Sequence, residues 1–202
     1  MYLNRKISIR RIVIFGIIII FCRCLARRIV KKSNNEQHAL QSKSIENAVL
    51  EIAKTGDWLV IRGYHAVDNL VSNATGIPIS HVAVFDSQLQ IVIEAEGKGI
   101  HESSLSEFVD KSYRLIIIRP RWLNENNAQL VISNAKKLVG KSYDFLGTIG
   151  FNYPKRYYCS ELAVSIYKQW HRKYEKFPKV ILPGELYLYG QILYDSRPRD
   201  EI

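Results

Sequence analysis

Three side chains have the types and the relative placement for nucleophilic acyl chemistry: Cys159, His81 and Glu94. Residues 81–86 and 90–96 are two β-forming runs around a short polar stretch, and they read as a hairpin. With Ser87-Gln88 as a two-residue turn, Ala83 faces Val92 and His81 faces Glu94. Cross-strand partners share a face with Cβ atoms about 5 Å apart. A slip of two residues keeps both side chains on that face. A carboxylate beside an imidazole holds the proton on the near ring nitrogen and raises the basicity of the far one.

Cys159 opens a run in which positions 159, 162, 163, 166 and 170 share one helical face. Leu162, Ala163, Ile166 and Trp170 make that face apolar, so a helix from 159 to about 173 should pack on the sheet. A thiol at a helix N-terminus has a lowered pKa, and the adjacent backbone N–H groups can hold an oxyanion. Thiol, imidazole and carboxylate then make a Cys–His–Glu constellation for attack on an acyl carbon. Each residue also has a structural reading: a small core hydrophobe, a satisfied strand histidine, a solvated edge carboxylate.

Other residues carry less. Nine of the twelve tyrosines lie between 143 and 194, fitting either core packing or a groove beside Cys159. Tyr158 and Tyr143 are the candidate oxyanion or substrate contacts. His65 and His101 lack partners at metal-like spacing and read as surface or capping residues. Gly97-Lys98-Gly99 is a two-glycine turn without a phosphate-loop frame. Ser80 and Ser160 lack a nucleophile-elbow setting. No metal or organic cofactor is expected.

The elements that must position these groups alternate. Residues 33–43 are polar and read as a linker, and Ser44 can cap a helix running to 54. Residues 58–62 read as a strand. Residues 64–74 read as a helix with Ala66, Val67, Leu70, Val71 and Ala74 on its buried face, stopped by Gly76-Ile77-Pro78. Residues 104–111 form a short helix, and 113–119 a nearly continuous apolar strand of the sheet interior. Asn124 can cap a helix that ends before Gly140. From 180 onward the chain reads as short strand plus loop. Strands in the middle with helices around them indicate α+β.

The 202 residues fit one domain with an appendage. The net charge of +10 would suggest nucleic acid, but residues 1–32 hold nine Lys/Arg and no acid. The remainder has 20 basic against 19 acidic residues, so phosphate-backbone binding has no global support and nucleic acid is not an expected partner. Residues 12–22 are an eleven-residue apolar run. That is short of the ~20 needed for a spanning helix and typical of a signal-peptide core. Cys24-Leu25-Ala26 is an acceptable cleavage site, although Arg27-Arg28 would then open the mature chain and hinder export. A cleaved signal and a retained membrane anchor both stay open, so the protein is expected at the cell envelope, anchored or exported. Cys22 and Cys24 lie in this segment, which leaves the body one thiol and no internal disulfide.

Five motifs in order carry a resemblance. They are Gly56-Asp57-Trp58, Ser80-His81-Val82-Ala83-Val84, Val92-Ile93-Glu94-Ala95, Gly140-Lys141-Ser142-Tyr143-Asp144-Phe145 and Tyr158-Cys159-Ser160-Glu161-Leu162. Together they resemble the permuted papain-like hydrolases of the NlpC superfamily, in particular its YaeF/YiiX-like group, across residues 44–190. The resemblance implies a papain-like α+β fold in which an antiparallel sheet packs against the cysteine-bearing helix. It implies Cys159 as nucleophile, His81 as base and Glu94 as orienting acid. Pro183-Gly184-Glu185-Leu186 is similar to a late structural segment of that group. The expected organisation is a signal or anchor segment (1–32), a linker (33–43) and a hydrolase domain (44–202). The expected activity is cleavage of an amide bond, in a cell-wall peptide or related molecule, through an acyl-enzyme. The alternatives are a lipid acyltransferase or esterase at the membrane, acting on an ester, and a catalytically silent binding module tethered there by residues 1–32.

Overall fold

The computed structural model describes residues 29–33 and 35–199. The apolar run at 12–22, Cys22, Cys24 and the 24–26 cleavage site lie outside the described residues. Among the described residues no helix is long and apolar enough to cross a membrane.

The framework is a six-stranded sheet, every neighbouring pair antiparallel. Its strands are β1 (Trp58–Gly63), β2 (His81–Asp86), β3 (Ile91–Glu96), β4 (Gly99–Ser104), β5 (Ser112–Pro120) and β6 (Gly190–Asp195), in the spatial order β4-β3-β2-β1-β5-β6. The helices are α1 (Glu36–Ile52), α2 (Ala66–Thr75), α3 (Leu105–Asp110), α4 (Ala128–Lys136) and α5 (Cys159–Ser165). The α+β expectation and the interior position of the apolar strand at 113–119 both hold.

Side chains alternate along each strand, so the sheet buries both faces. Trp58, Val60, Val82, Val84, Ile93, Ala95, Ile116 and Ile118 join one core with α4 and α5. Leu59, Ile61, Ala83, Phe85, Val92, Leu115 and Ile117 join the other, with Ile45 and Val49 of α1 and Leu105, Phe108 and Val109 of α3. Helix α3 starts where Ser104 and Glu107 exchange side-chain and backbone hydrogen bonds, a capping box.

Several local expectations are corrected. Residues 36–43 are not a linker but the first half of α1, which Asn35 caps by accepting from the His38 N–H at 2.8 Å. The reason is tertiary: His38 is buried and reaches Asp110 at 3.1 Å, so a polar-looking turn has a partner in the fold. The hairpin connection holds four residues, not two, because Asp86 pairs with Ile91. Residues 99–104 form a strand that their polar composition concealed. On α2 the apolar face is outward: Val67 and Leu70 are exposed, while Asp68 and Ser72 are buried. Asp68 accepts from Ser80 Oγ at 2.6 Å and from the His65 N–H at 2.9 Å, and this polar join decides which face turns in. Helix α4 ends at Lys136, short of the expected 139. Helix α5 ends at Ser165, and a separate 3-10 turn follows at Lys168–Trp170.

The Gly56-Asp57 motif proves structural. Asp57 is fully buried, accepts from the Lys54 N–H at 2.7 Å and pairs with Arg119 through two hydrogen bonds of 3.0 and 2.7 Å. Pro183–Tyr189 is a 3-10 turn with Leu186 fully buried, in keeping with the structural role expected of that segment.

Candidate active site

The expected hairpin partnership forms, shifted by two residues. Ala83 stands opposite Glu94, which places Glu94 diagonal to His81 on the same face. His81 Nε2 and Glu94 Oε2 are 2.7 Å apart, and the carboxylate is fully buried. Both side chains belong to the face that carries α1 and α3. Cys159 belongs to the opposite core, as the first residue of α5. The two meet because His81 is the first residue of β2, at the end of the sheet, and α5 packs on β2 and β3. There the thiol and the imidazole come close enough to interact electrostatically. Cys159 is 5 % and His81 8 % exposed, so the pair is nearly dry, and among the described residues this is the one cysteine, reduced.

The electrostatics follow from that burial. Desolvation pulls the His81 pKa down, but the adjacent Cys159 and the hydrogen-bonded, charged Glu94 outweigh it and hold the imidazole well above its ordinary 6.5. Burial pushes the Glu94 carboxyl up, and the nearby His101 ring, the hydrogen bond to His81 and the charges of His81 and Lys111 reverse this, holding it far below the usual carboxylate range. Two residues beyond the thiol, burial pushes Glu161 up to about 7, which reduces the negative charge opposing a thiolate.

Three members of this cluster escaped the sequence reading. Lys111 Nζ lies 2.7 and 2.6 Å from the two Glu94 oxygens and 2.6 Å from Glu96 Oε1. His101 stands directly opposite Glu94 on β4, not in a surface or capping role. Its Nδ1 donates to the Gly99 carbonyl at 3.1 Å, and its Nε2 lies 3.5 Å from both Glu94 Oε1 and Glu96 Oε2. One signal was available: Glu94 and Glu96 share a strand face by the two-residue period, and neighbouring acids on one face, one of them buried, call for a cation. The identity of that cation was not readable, because Lys111 arrives from the turn between α3 and β5. His81, Glu94 and Glu96 also present ligand atoms within 4.8 Å of one another, a spacing a metal ion could use. The Lys111 ammonium fills the same role, bridging both carboxylates with its own positive charge.

Tyr158 is the N-cap residue of α5, and its hydroxyl accepts from the Ile181 N–H at 3.0 Å, tying the helix start to a distant loop. Tyr143 is half-buried, and burial with the nearby charge of Cys159 raises its phenol pKa, so it stays protonated beside the thiol. Ser80 and Ser160 are bound into the scaffold through Asp68 and the Ile181 carbonyl.

A solved structure described as metalloprotein yiiX from Escherichia coli O157:H7, DUF1105, is similar to this chain at 24 % identity and a TM-score of 0.49. The match covers 57 % of this chain, and this chain spans 65 % of that one. No curated protein matches the chain. The profile of the family described as "permuted papain-like amidase enzyme, YaeF/YiiX, C92 family" matches residues 52–185, from the end of α1 into the 3-10 turn at Pro183–Tyr189. With that profile spanning well over half of its length and the whole sheet up to β5, this chain belongs to the permuted papain-like amidases of the YaeF/YiiX type, a family of hydrolases.

Proposed function

We propose that the chain cleaves an amide bond with Cys159 as nucleophile, His81 as general base and acid, and Glu94 as the residue that orients His81. The observation that carries this reading is the buried His81–Glu94 hydrogen bond of 2.7 Å with the buried Cys159 thiol close enough to act on the same imidazole. With Glu94 on Nε2, that nitrogen keeps its proton and Nδ1 is left to accept the thiol proton. His81 takes the thiol proton, and the thiolate adds to the carbonyl carbon. The Cys159 N–H, free of an intrahelical acceptor in the first turn, meets the oxyanion. His81 then protonates the departing amine as the C–N bond breaks, leaving a thioester. Water, deprotonated by the same imidazole, adds to the thioester and releases the acid and the thiol. Tyr143, protonated and beside Cys159, is the better placed of the two tyrosines to contact substrate, since Tyr158 already holds Ile181. Cell-wall peptides are the proposed substrate class. The basic and apolar residues 1–32 support placing the domain at, or beyond, a membrane.

Alkylation of the full chain with iodoacetamide across pH, read by peptide mass at Cys159, tests the pair. Alkylation of Cys159 that is lost or markedly slowed in His81→Ala is the expected result. Cys159→Ala and His81→Ala are each expected to lower amide turnover at least a thousandfold. An unreactive Cys159, or turnover unchanged in either variant, overturns the assignment.

A further inference from the structure

Beside this site the chain builds a projecting apolar loop. Asp144, fully buried, accepts from the Gly147 N–H and the Tyr153 N–H, both at 2.9 Å, and so closes residues 144–153 into a ring. Thr148 Oγ1 donates to the Phe145 carbonyl at 2.7 Å, and the Phe151 N–H donates to the Leu146 carbonyl at 2.9 Å. Gly147–Ile149 is a 3-10 turn ended by Gly150 in the left-handed region. These hydrogen bonds fold the backbone in on itself, while its large side chains are exposed. Phe145, Ile149 and Phe151 are 64, 65 and 63 % exposed, and Leu146 and Tyr153 about half. A soluble surface does not ordinarily gather five such side chains within nine residues.

The charge along this stretch is mostly positive. Residues 141–179 hold eight Lys/Arg against three acids, although the body as a whole is nearly balanced. Two of the acids are committed: Asp144 to the loop backbone, Glu175 to Arg121 and Trp122. The cations stand with the aromatics: Arg156 lies 5.4 Å from the Tyr153 ring centre and Lys179 5.3 Å from that of Phe151. Apolar and aromatic tips ringed by Lys and Arg match the boundary of an anionic bilayer, where rings enter the headgroup layer and cations meet lipid phosphates. The loop also adjoins the catalytic cluster. Phe145 packs against Tyr143 with ring centres 4.8 Å apart, and Tyr143 feels the charge of Cys159.

We propose that residues 144–156, with Lys179, are a docking surface for an anionic lipid bilayer, separate from residues 1–32, and that docking sets the Cys159 side of the domain against the membrane. This stands independently of the catalytic reading, since it concerns adsorption and not turnover.

Because residues 1–32 offer a second route to a membrane, the test needs a local readout. Backbone hydrogen exchange of the full chain is followed by mass spectrometry with vesicles of phosphatidylcholine alone and of phosphatidylcholine with phosphatidylglycerol. Slower exchange confined to 145–153 is expected with the anionic vesicles and is expected to fade as salt is added. Phe145→Ser/Phe151→Ser and, separately, Lys155→Glu/Arg156→Glu should each abolish that protection and weaken vesicle binding by roughly tenfold. Unchanged exchange in the sheet serves as the folding control for both variants. Three results overturn the proposal: no protection of the loop while the chain is vesicle-bound, equal protection by uncharged vesicles, or protection surviving the charge-reversed variant.

Discussion

At the scale of single residues, the site is a chain of alternating charges inside the protein: thiol, imidazole, carboxylate, ammonium, carboxylate. Its pH behaviour follows from the signs. Glu94 is held below its ordinary 4.5, so its ionisation stabilises the fold above that value, and the contribution is lost as pH falls through the folded-state pKa. His81 is held above 6.5, so its protonation stabilises the fold below that value, and the contribution is lost as pH rises through the folded-state pKa. Both contributions are complete only between about 4.5 and 6.5. Glu94→Gln is therefore expected to lower Tm most in that window, with the gap to the parent narrowing on either side. A gap that stays flat from acid to mildly alkaline pH would show that neither charge supports the fold. The residue types of Cys159, His81 and Glu94 were legible because each sits in a strongly patterned run. Lys111 and His101 were not, since nothing local distinguishes a lysine after a short helix or a histidine in a polar strand.

At the scale of elements, two short joints place the site. Glycine is required at position 99, where φ is +106° and a Cβ would lie 2.6 Å from the Lys141 carbonyl oxygen. That contact brings the segment carrying Tyr143 against β4, with the Ile100 N–H donating to the same carbonyl at 2.8 Å. The second joint is Asp144. Asp144→Ala would leave the Gly147 and Tyr153 N–H groups without their acceptor and is expected to cost about 2 kcal/mol by thermal or urea unfolding. It should also speed hydrogen exchange across 145–153 with little change in the sheet. A loss below about 0.5 kcal/mol, within the range of an ordinary surface substitution, would mean the loop holds its shape without the carboxylate. The elements were readable where packing and period agree, as in β1, β2, β3, β5 and the start of α5. Helix α2 was readable in extent but turned over in orientation, because the Asp68–Ser80 hydrogen bond outweighed the apolar stripe.

At the scale of the whole molecule, both faces of one sheet are covered, and long-range polar contacts fasten distant parts of the chain to it. Arg199 is the clearest of these. It is 4 % exposed and donates to the carbonyls of Ser112, His38 and Val109 and to Ser42 Oγ, fastening the C-terminal segment to α1, α3 and β5. Arg199→Ala is expected to destabilise the fold by about 3 kcal/mol in urea unfolding, because several buried acceptors lose their donor together. Arg199→Lys should recover only part of that, since one ammonium cannot span the same acceptors. Full stability in Arg199→Ala would show that the C-terminal segment is not part of the cooperative unit. By itself the sequence determined the alternation of strands and helices, the single body thiol, the one-sided concentration of charge in residues 1–32, and the shared face of His81 and Glu94. These rest on periodicity and composition, which are properties of neighbours in the chain. Only the tertiary structure decided the hairpin register, the outward face of α2, the helical state of residues 36–43, and the arrival of Lys111 and His101 at Glu94. Those depend on partners brought together by the packing of separate elements, which no local pattern encodes.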